Sequence, residues 1–377
     1  MESAVPDGLR LPSVNVDAVF GTDLVDESKR YERFLLVLWA LREVALLVVL
    51  WVYARRGAAF ARESAAGRIG TGMLLGMLGL GIVWLVQVPF GLAAVWWQRR
   101  YGTTEVGYLE WVFGDWFALG ATFLSVSVAL LVVMALAGWL GERWWLPGTA
   151  VFVGIAALFV LVSPWLQTTT PLEDRQLLAA AARYERVQGL PDIPIRVEEV
   201  SGTTSQANAY ATGIGGTRVV VLWDTLLDGR FSDGAERVVV AHELAHHSSD
   251  HLPKALGWFA LFALPGAWLV MRLTRGRGGI GTPEAVPLAL LVVAAYQLAV
   301  SPAQAWVSRG MEAEADWKAL ESTRDPASAR ALFVEFAKTG LGDPEPPTWS
   351  YVLLESHPSL ARRVAMARAW QDAQGPS

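Results

Sequence analysis

Six apolar stretches, at about 34–54, 71–97, 116–140, 146–166, 256–273 and 285–306, constrain this 377-residue chain more than anything else in it. A helix rising 1.5 Å per residue crosses a hydrocarbon layer of roughly 30 Å in about 20 residues, so each stretch is of spanning length. The composition agrees. Hydrophobic residues make up 53% and charged residues 18%, against about 25% charged in ordinary soluble domains. Trp96, Trp97, Trp111, Trp116, Trp139, Trp144, Trp145 and Trp165 fall near the predicted ends, where an amphipathic ring sits at headgroup level. Arg42 and Glu43 lie near the middle of the first span; charges at that depth face a protein interior or a wet cavity, or pair locally. The first 33 residues are polar and acid-rich, and the first apolar run starts too late and runs too long for a cleaved signal peptide, so it is expected to remain.

The chain therefore divides into a polar N-terminal segment (1–33), a four-span membrane domain (34–166) and a third region (167–377) interrupted by two spans. Only 167–252 and 307–377 are large enough to work in water. Two spans separate them, so parity puts both on one side of the membrane. A net charge of -5 lacks the basic footprint of a nucleic-acid binder. With no cysteine there is no disulfide, no thiolate nucleophile and no sulfur ligand, so any metal must be held by imidazole and carboxylate. Strand character at 193–200 and 209–214, with Gly215-Gly216 turning into 217–223, predicts a small β-hairpin. Asp233 and Glu236 read as a capping box opening a helix to about Asp250, which Pro253 helps to end. Residues 276–281 read as a tight loop and 374–377 as a fraying tail.

Four of the five histidines fall in ten residues: His242, His246, His247 and His251. On a helix His242 and His246 share a face one turn apart, and two imidazoles so placed can grip one Zn2+ at about 2.0 to 2.1 Å. Glu243 is offset by about 100° on that helix, within reach of a metal-bound water without being a ligand. His247 and His251 fall on other faces and read as ordinary polar or interface residues. A catalytic zinc needs a third protein ligand, which must be the remaining histidine, His357, or a carboxylate. Glu312 and Asp316 form a same-face pair on a predicted helix, able to supply one ligand and one acceptor that orients a ligand imidazole.

Taken together, these motifs resemble the M48 membrane metallopeptidases, especially the Ste24-type CAAX prenyl protease branch. The resemblance covers about Trp84 to Val364 and is carried by Asn208-Ala209-Tyr210-Ala211-Thr212-Gly213, the segment 219–227, His242-Glu243-Leu244-Ala245-His246, Glu312 with Ala315-Asp316, and His357-Pro358 followed by Arg363. It implies a mostly α, polytopic membrane protein of about six transmembrane helices, carrying a zincin-like metallopeptidase domain with a small β-sheet. One Zn2+ per chain would be bound by His242, His246 and Glu312, with Glu243 as general base and Asp316 supporting the ligands. Asn208 would contact the substrate backbone, while His357 and Arg363 would face the reaction centre. The eukaryotic branch has seven spans, one more at the N-terminal end than counted here.

The implied activity is endopeptidase hydrolysis of a peptide or membrane-protein substrate, either CAAX prenyl protease-like or in membrane-protein quality control. The competing reading, from another class, is a zinc-binding transporter or sensor without hydrolysis. A transporter wants its polar residues at the bilayer midplane, whereas this cluster lies outside the spans. Arginines occur in loops on both faces, so positive-inside counting gives no orientation. The resemblance implies an inner (plasma) membrane protein with its catalytic domain in the cytoplasm.

Overall fold

The computed structural model describes residues 10–374, so the first nine residues of the polar N-terminal segment and residues 375–377 of the tail lie outside the described residues. Twelve helices run in the order α1 (Val16–Phe20), α2 (Thr22–Arg56), α3 (Gly67–Arg100), α4 (Tyr108–Leu140), α5 (Trp145–Leu166), α6 (Arg175–Gln188), α7 (Asp233–Ser248), α8 (His251–Thr274), α9 (Val286–Thr323), α10 (Pro326–Gly340), α11 (Thr348–Leu353) and α12 (Leu360–Ala373). Among the described residues, five continuous helical stretches are long and apolar enough to cross a membrane, and the third of them, Tyr108–Leu166, is 59 residues long. At 1.5 Å per residue that is about 90 Å, three bilayer cores end to end. It breaks at Gly141 (φ +57°) into α4 and α5, which gives six spans. Their apolar side chains point outward: Phe117 and Trp139 are each 82% exposed, as expected of helices that face lipid. Trp84, midway along α3, donates to Asp115 near the start of α4 at 2.7 Å, tying the two helices together. Arg42 is exposed and Glu43 half-buried, and neither forms an ion pair among the described residues.

The helices overrun the apolar stretches that predict them. α2 begins twelve residues before position 34, and α9 continues seventeen residues past position 306. Hydropathy marks where a helix leaves the bilayer; the helix itself ends only where its backbone bonding ends. Arg324 stops α9 in a left-handed conformation (φ +52°). The consequence is one continuous helix, with Pro302 inside it, that carries span six into the water-exposed half.

That half is built on a four-stranded sheet of order β1-β2-β4-β3: β1 (Thr170–Pro171), β2 (Ile195–Glu198), β3 (Ala209–Thr212) and β4 (Val219–Trp223). β4 is the central strand; its Val219-Val220-Val221-Leu222 run is buried, as expected of a strand covered on both faces. It pairs parallel to β2 and antiparallel to β3, so the predicted hairpin forms. The two-residue β1, too short to show a period in the sequence, extends the other edge. Helices α7, α9, α10 and α12 close over the sheet in one core that includes Leu222, Val240, Leu244, Ala313, Leu332, Phe333, Val364 and Met366. Phe20 and Val25 join it, and Glu32 accepts from the Asp343 amide, so residues 16–33 pack on the water-exposed half and put it on the N-terminal side of span one. A second core, around Leu75, Met134, Trp144, Met271 and Val286, holds the spans together.

Two local expectations change at α7. Ser232, not Asp233, is the N-cap, its side chain accepting from the Ala235 amide. The helix ends at Ser248, two residues before the expected Asp250. Pro253 does not end it, since Asp250 breaks the chain at φ +51° and Pro253 falls in the first turn of α8, where a missing amide proton costs nothing.

The hairpin turn rests on Gly213 (φ +80°), where a Cβ would run into the Thr217 carbonyl. An alanine there meets both a left-handed backbone and a steric clash, so Gly213→Ala should lower stability by more than about 1 kcal/mol. Thermal unfolding in detergent checks this; an unchanged melting temperature would contradict the turn geometry.

Candidate active site

The two helices α7 and α9 cross so that each offers a pair of side chains one turn apart. His242 and His246 from α7 bring their Nε2 atoms to 3.1 Å from each other. Glu312 from α9 places Oε2 at 3.2 Å from His242 Nε2 and Oε1 at 3.7 Å from His246 Nε2. One donor atom from each of the three residues falls within 4.8 Å of the others. One turn further along α9, Asp316 Oδ1 lies 2.9 Å from His242 Nδ1. The carboxylate of Asp316 is in turn held by Arg363 from α12, with Nη2 to Oδ1 at 2.6 Å and Nε to Oδ2 at 2.8 Å.

His357 arrives from the loop before α12, its Nε2 3.2 Å from Glu312 Oε2 and its Nδ1 3.0 Å from the Ser356 hydroxyl oxygen. Although Glu312 Oε2 is close to two imidazoles, it makes no hydrogen bond of acceptable geometry and is buried. A buried carboxylate oxygen left without a hydrogen bond is rare. Two converging imidazole nitrogens and such an oxygen are the donor set of a cation site, so these residues fit a bound metal ion.

All eight residues singled out in the sequence line one cleft of about 350 Å³: Asn208, His242, Glu243, His246, Glu312, Asp316, His357 and Arg363. Its far wall is the outer edge of the sheet, with Ala209, Tyr210 and Ala211 of β3. The Asn208 carbonyl accepts from the Trp223 amide at 3.0 Å, fixing the start of that edge.

Electrostatics follow from burial and from the carboxylates of α9. Burial by itself would lower His242, but Asp316 and Glu312 on its two nitrogens raise it to about 10. His246 is lowered to about 3, first by burial and then by the charge on His242. Burial would raise Glu312, yet His242 and His357 hold it well below the usual carboxylate range. For Glu243 burial is the larger effect: it outweighs the lowering by His242, His357 and Arg363, is reinforced by Glu312, and pushes the carboxyl up to about 7. Asp316 would also rise on burial, but Arg363 and His242 bring it down to about 2.

Peptidase family M48 matches residues 171–371, more than half of the chain. The chain belongs to peptidase family M48. As a member of that family it is similar over 307 residues, at 26% identity, to the uncharacterized metalloprotease YhfN of Bacillus subtilis (strain 168), a match covering 78% of this chain and 72% of the relative. It is 34% identical over 94 residues to the CAAX prenyl protease 1 of Saccharomyces cerevisiae, covering 25% of this chain and 20% of that protein. The crystal structure of S. mikatae Ste24p superposes with a TM-score of 0.73 at 18% identity, covering 95% of this chain and 91% of that one. At that identity the likeness speaks for the fold. With its six spans, this M48 protein is a multi-pass membrane metalloprotease.

Two residues near the site, His251 and Arg309, are not legible in the sequence, whereas His247 is the interface residue expected of it. His251 does not point elsewhere: its Nδ1 is 2.9 Å from His246 Nδ1, and its Nε2 is 3.3 Å from Glu314 Oε2. Arg309, buried on α9, donates from Nη1 to the carbonyls of Tyr351 and Glu355 at 2.8 and 2.6 Å, tethering the loop that presents His357. Only the position of Arg309 three residues before Glu312 hints at this. His247 is structural, its ring 3.2 Å from the Val219 carbonyl, anchoring α7 to β4.

The Asp316–Arg363 pair is buried, with side chains 5% and 10% exposed. Removing one member of a buried pair strands the other charge and costs about 3–5 kcal/mol. Arg363→Met should therefore lower unfolding stability by that order near neutral pH. Because the Asp316 carboxyl is depressed, the pair's contribution is present above the ordinary carboxyl range and is lost only as pH falls toward 2. Chemical denaturation in detergent at pH 7 checks the size; a loss below about 1 kcal/mol would show that the pair is not what holds Asp316.

Proposed function

We propose that this chain is a zinc-dependent endopeptidase of the inner membrane, hydrolysing peptide bonds on the cytoplasmic side. The observation that supports it best is the convergence of His242 Nε2, His246 Nε2 and the unsatisfied Glu312 oxygen on the cleft that Glu243 also lines. Two imidazoles and a carboxylate with no sulfur suit zinc, and three protein ligands leave a position open, as a catalytic site requires. When bound, zinc supplies the Lewis acid that acidifies a water and polarises the substrate carbonyl.

The chain's own residues do the rest. Glu243 takes the proton from the attacking water, its buried carboxyl tuned near working pH, where a general base is most effective. Asp316 accepts from His242 Nδ1, which keeps the Nε2 lone pair turned into the cleft. His357, half-exposed at the mouth, is placed to donate to the carbonyl oxygen as it gains charge. Arg363, fixed by Asp316, borders the cleft beside the substrate. The free edge of β3, beginning at Asn208, can receive an extended peptide by strand addition, which holds the main chain regardless of sequence.

A yeast relative is named a CAAX prenyl protease, and a Bacillus licheniformis one a homolog of protease HtpX. The first name suggests prenylated C-termini as one substrate class to compare, and the membrane setting of the site suggests membrane proteins as the other. A transport role is poorly supported, because the ligands sit on α7 and on the part of α9 beyond its apolar stretch.

The test is cleavage by purified, zinc-loaded protein of a prenylated C-terminal peptide and of an unfolded membrane protein. Glu243→Gln should retain zinc and lose activity by about 10²–10⁴-fold on whichever substrate the wild type cuts. Cleavage by the zinc-loaded variant at the wild-type rate would refute the assignment.

A further inference from the structure

The two imidazoles of the site are held by different means. His242 leans directly on a buried carboxylate, Asp316. Among the described residues no carboxylate is within hydrogen-bond reach of His246 Nδ1; its partner is another imidazole, His251 Nδ1, at 2.9 Å. Behind that ring, His251 Nε2 lies 3.3 Å from Glu314 Oε2, and the Glu314 carboxylate lies 3.9 Å from Lys254 Nζ and 3.7 Å from Lys318 Nζ.

The arrangement depends on the break in the chain. In an unbroken α7, residue 251 would lie five positions, about 500°, beyond His246 and so on another face. Asp250 at φ +51° ends that register and returns His251, the first residue of α8, against the ring of His246. Asp250 is itself held by Arg218 at 3.0 Å. Glu314, two residues beyond Glu312, faces α8 while Glu312 faces α7, so the single helix α9 serves both ligand rings from different sides.

We propose that His251 and Glu314 are positioning residues that fix the orientation and tautomer of His246 as a metal ligand. This rests on the zinc site described above. A ligand nitrogen must offer a lone pair, so with Nε2 turned to the metal, the ring of His246 carries its proton on Nδ1. That proton is donated to His251 Nδ1, which must then be the bare nitrogen of its ring. His251 carries its own proton on Nε2 and donates it to Glu314. Each bond fixes the next, and the order runs one way from the carboxylate to the metal. His251 is 3% exposed, so no water competes for the bond.

The test is zinc affinity of the full chain in detergent, measured by competition with a chromophoric chelator. His251→Leu removes the acceptor and should weaken zinc binding by about 10–100-fold, the usual effect of losing such a partner. His251→Asn, whose Oδ1 can stand where Nδ1 stood, should recover most of that loss. Equal affinity of wild type and His251→Leu would overturn the proposal while leaving the zinc site intact; a wild type that binds no zinc would remove the site itself. Nitrogen-15 spectra of histidine-labelled, zinc-loaded wild type give a check that needs no variant to fold beyond the assignment of five rings. His246 protonated at Nδ1 and His251 at Nε2 is the expected pattern, and His251 protonated at Nδ1 overturns it.

Discussion

His242 is gripped at both ring nitrogens by one helix. Glu312 stands at Nε2 and Asp316 at Nδ1, one turn apart on α9, and the two contacts fix the distance and the rotation between α7 and α9. Other features of the site follow. Asp316 cannot be buried beside a histidine without a counter-charge, which is why α12 delivers Arg363. Glu312 cannot complete its hydrogen bonds in that position, which is why a buried oxygen remains for a cation. His246 follows one turn behind His242 and needs its own support, which the break at Asp250 provides.

The same helix joins the chemistry to the bilayer. α9 is 38 residues long, about 57 Å at 1.5 Å per residue, so span six and the carboxylate pair lie on one continuous helix. A loop between them would leave the carboxylates free to drift by more than the few tenths of an ångström that metal ligation tolerates. Built as a continuous helix, the carboxylate pair keeps a set separation along α9 from span six.

Much of this was legible in the sequence because it depends on short, periodic relationships. The six spans are composition over about 20 residues, and the His242/His246 and Glu312/Asp316 pairs are single helical turns. What escaped depends on backbone geometry that composition does not record. A helix does not end where it turns polar, so α9 and α2 overran their apolar stretches. A left-handed Asp250 leaves little trace in the run Ser248-Ser249-Asp250, and without it His251 falls on the wrong face. The two-residue β1 shows no alternation. Arg309 acts on carbonyls more than 40 residues away, a contact that only the tertiary fold creates. The role of His357 was approachable only through its motif, since its place beside Glu312 depends on that tether.

The central claim is that α7 and α9 together make one zinc site from two imidazoles and a carboxylate. Zinc K-edge X-ray absorption on the purified, detergent-solubilised chain tests it most directly. The expected result is one zinc per chain with imidazole scattering from two rings and a nitrogen and oxygen shell at about 2.0 to 2.2 Å. A protein that takes up no stoichiometric zinc, or whose zinc shell shows no imidazole, would contradict it.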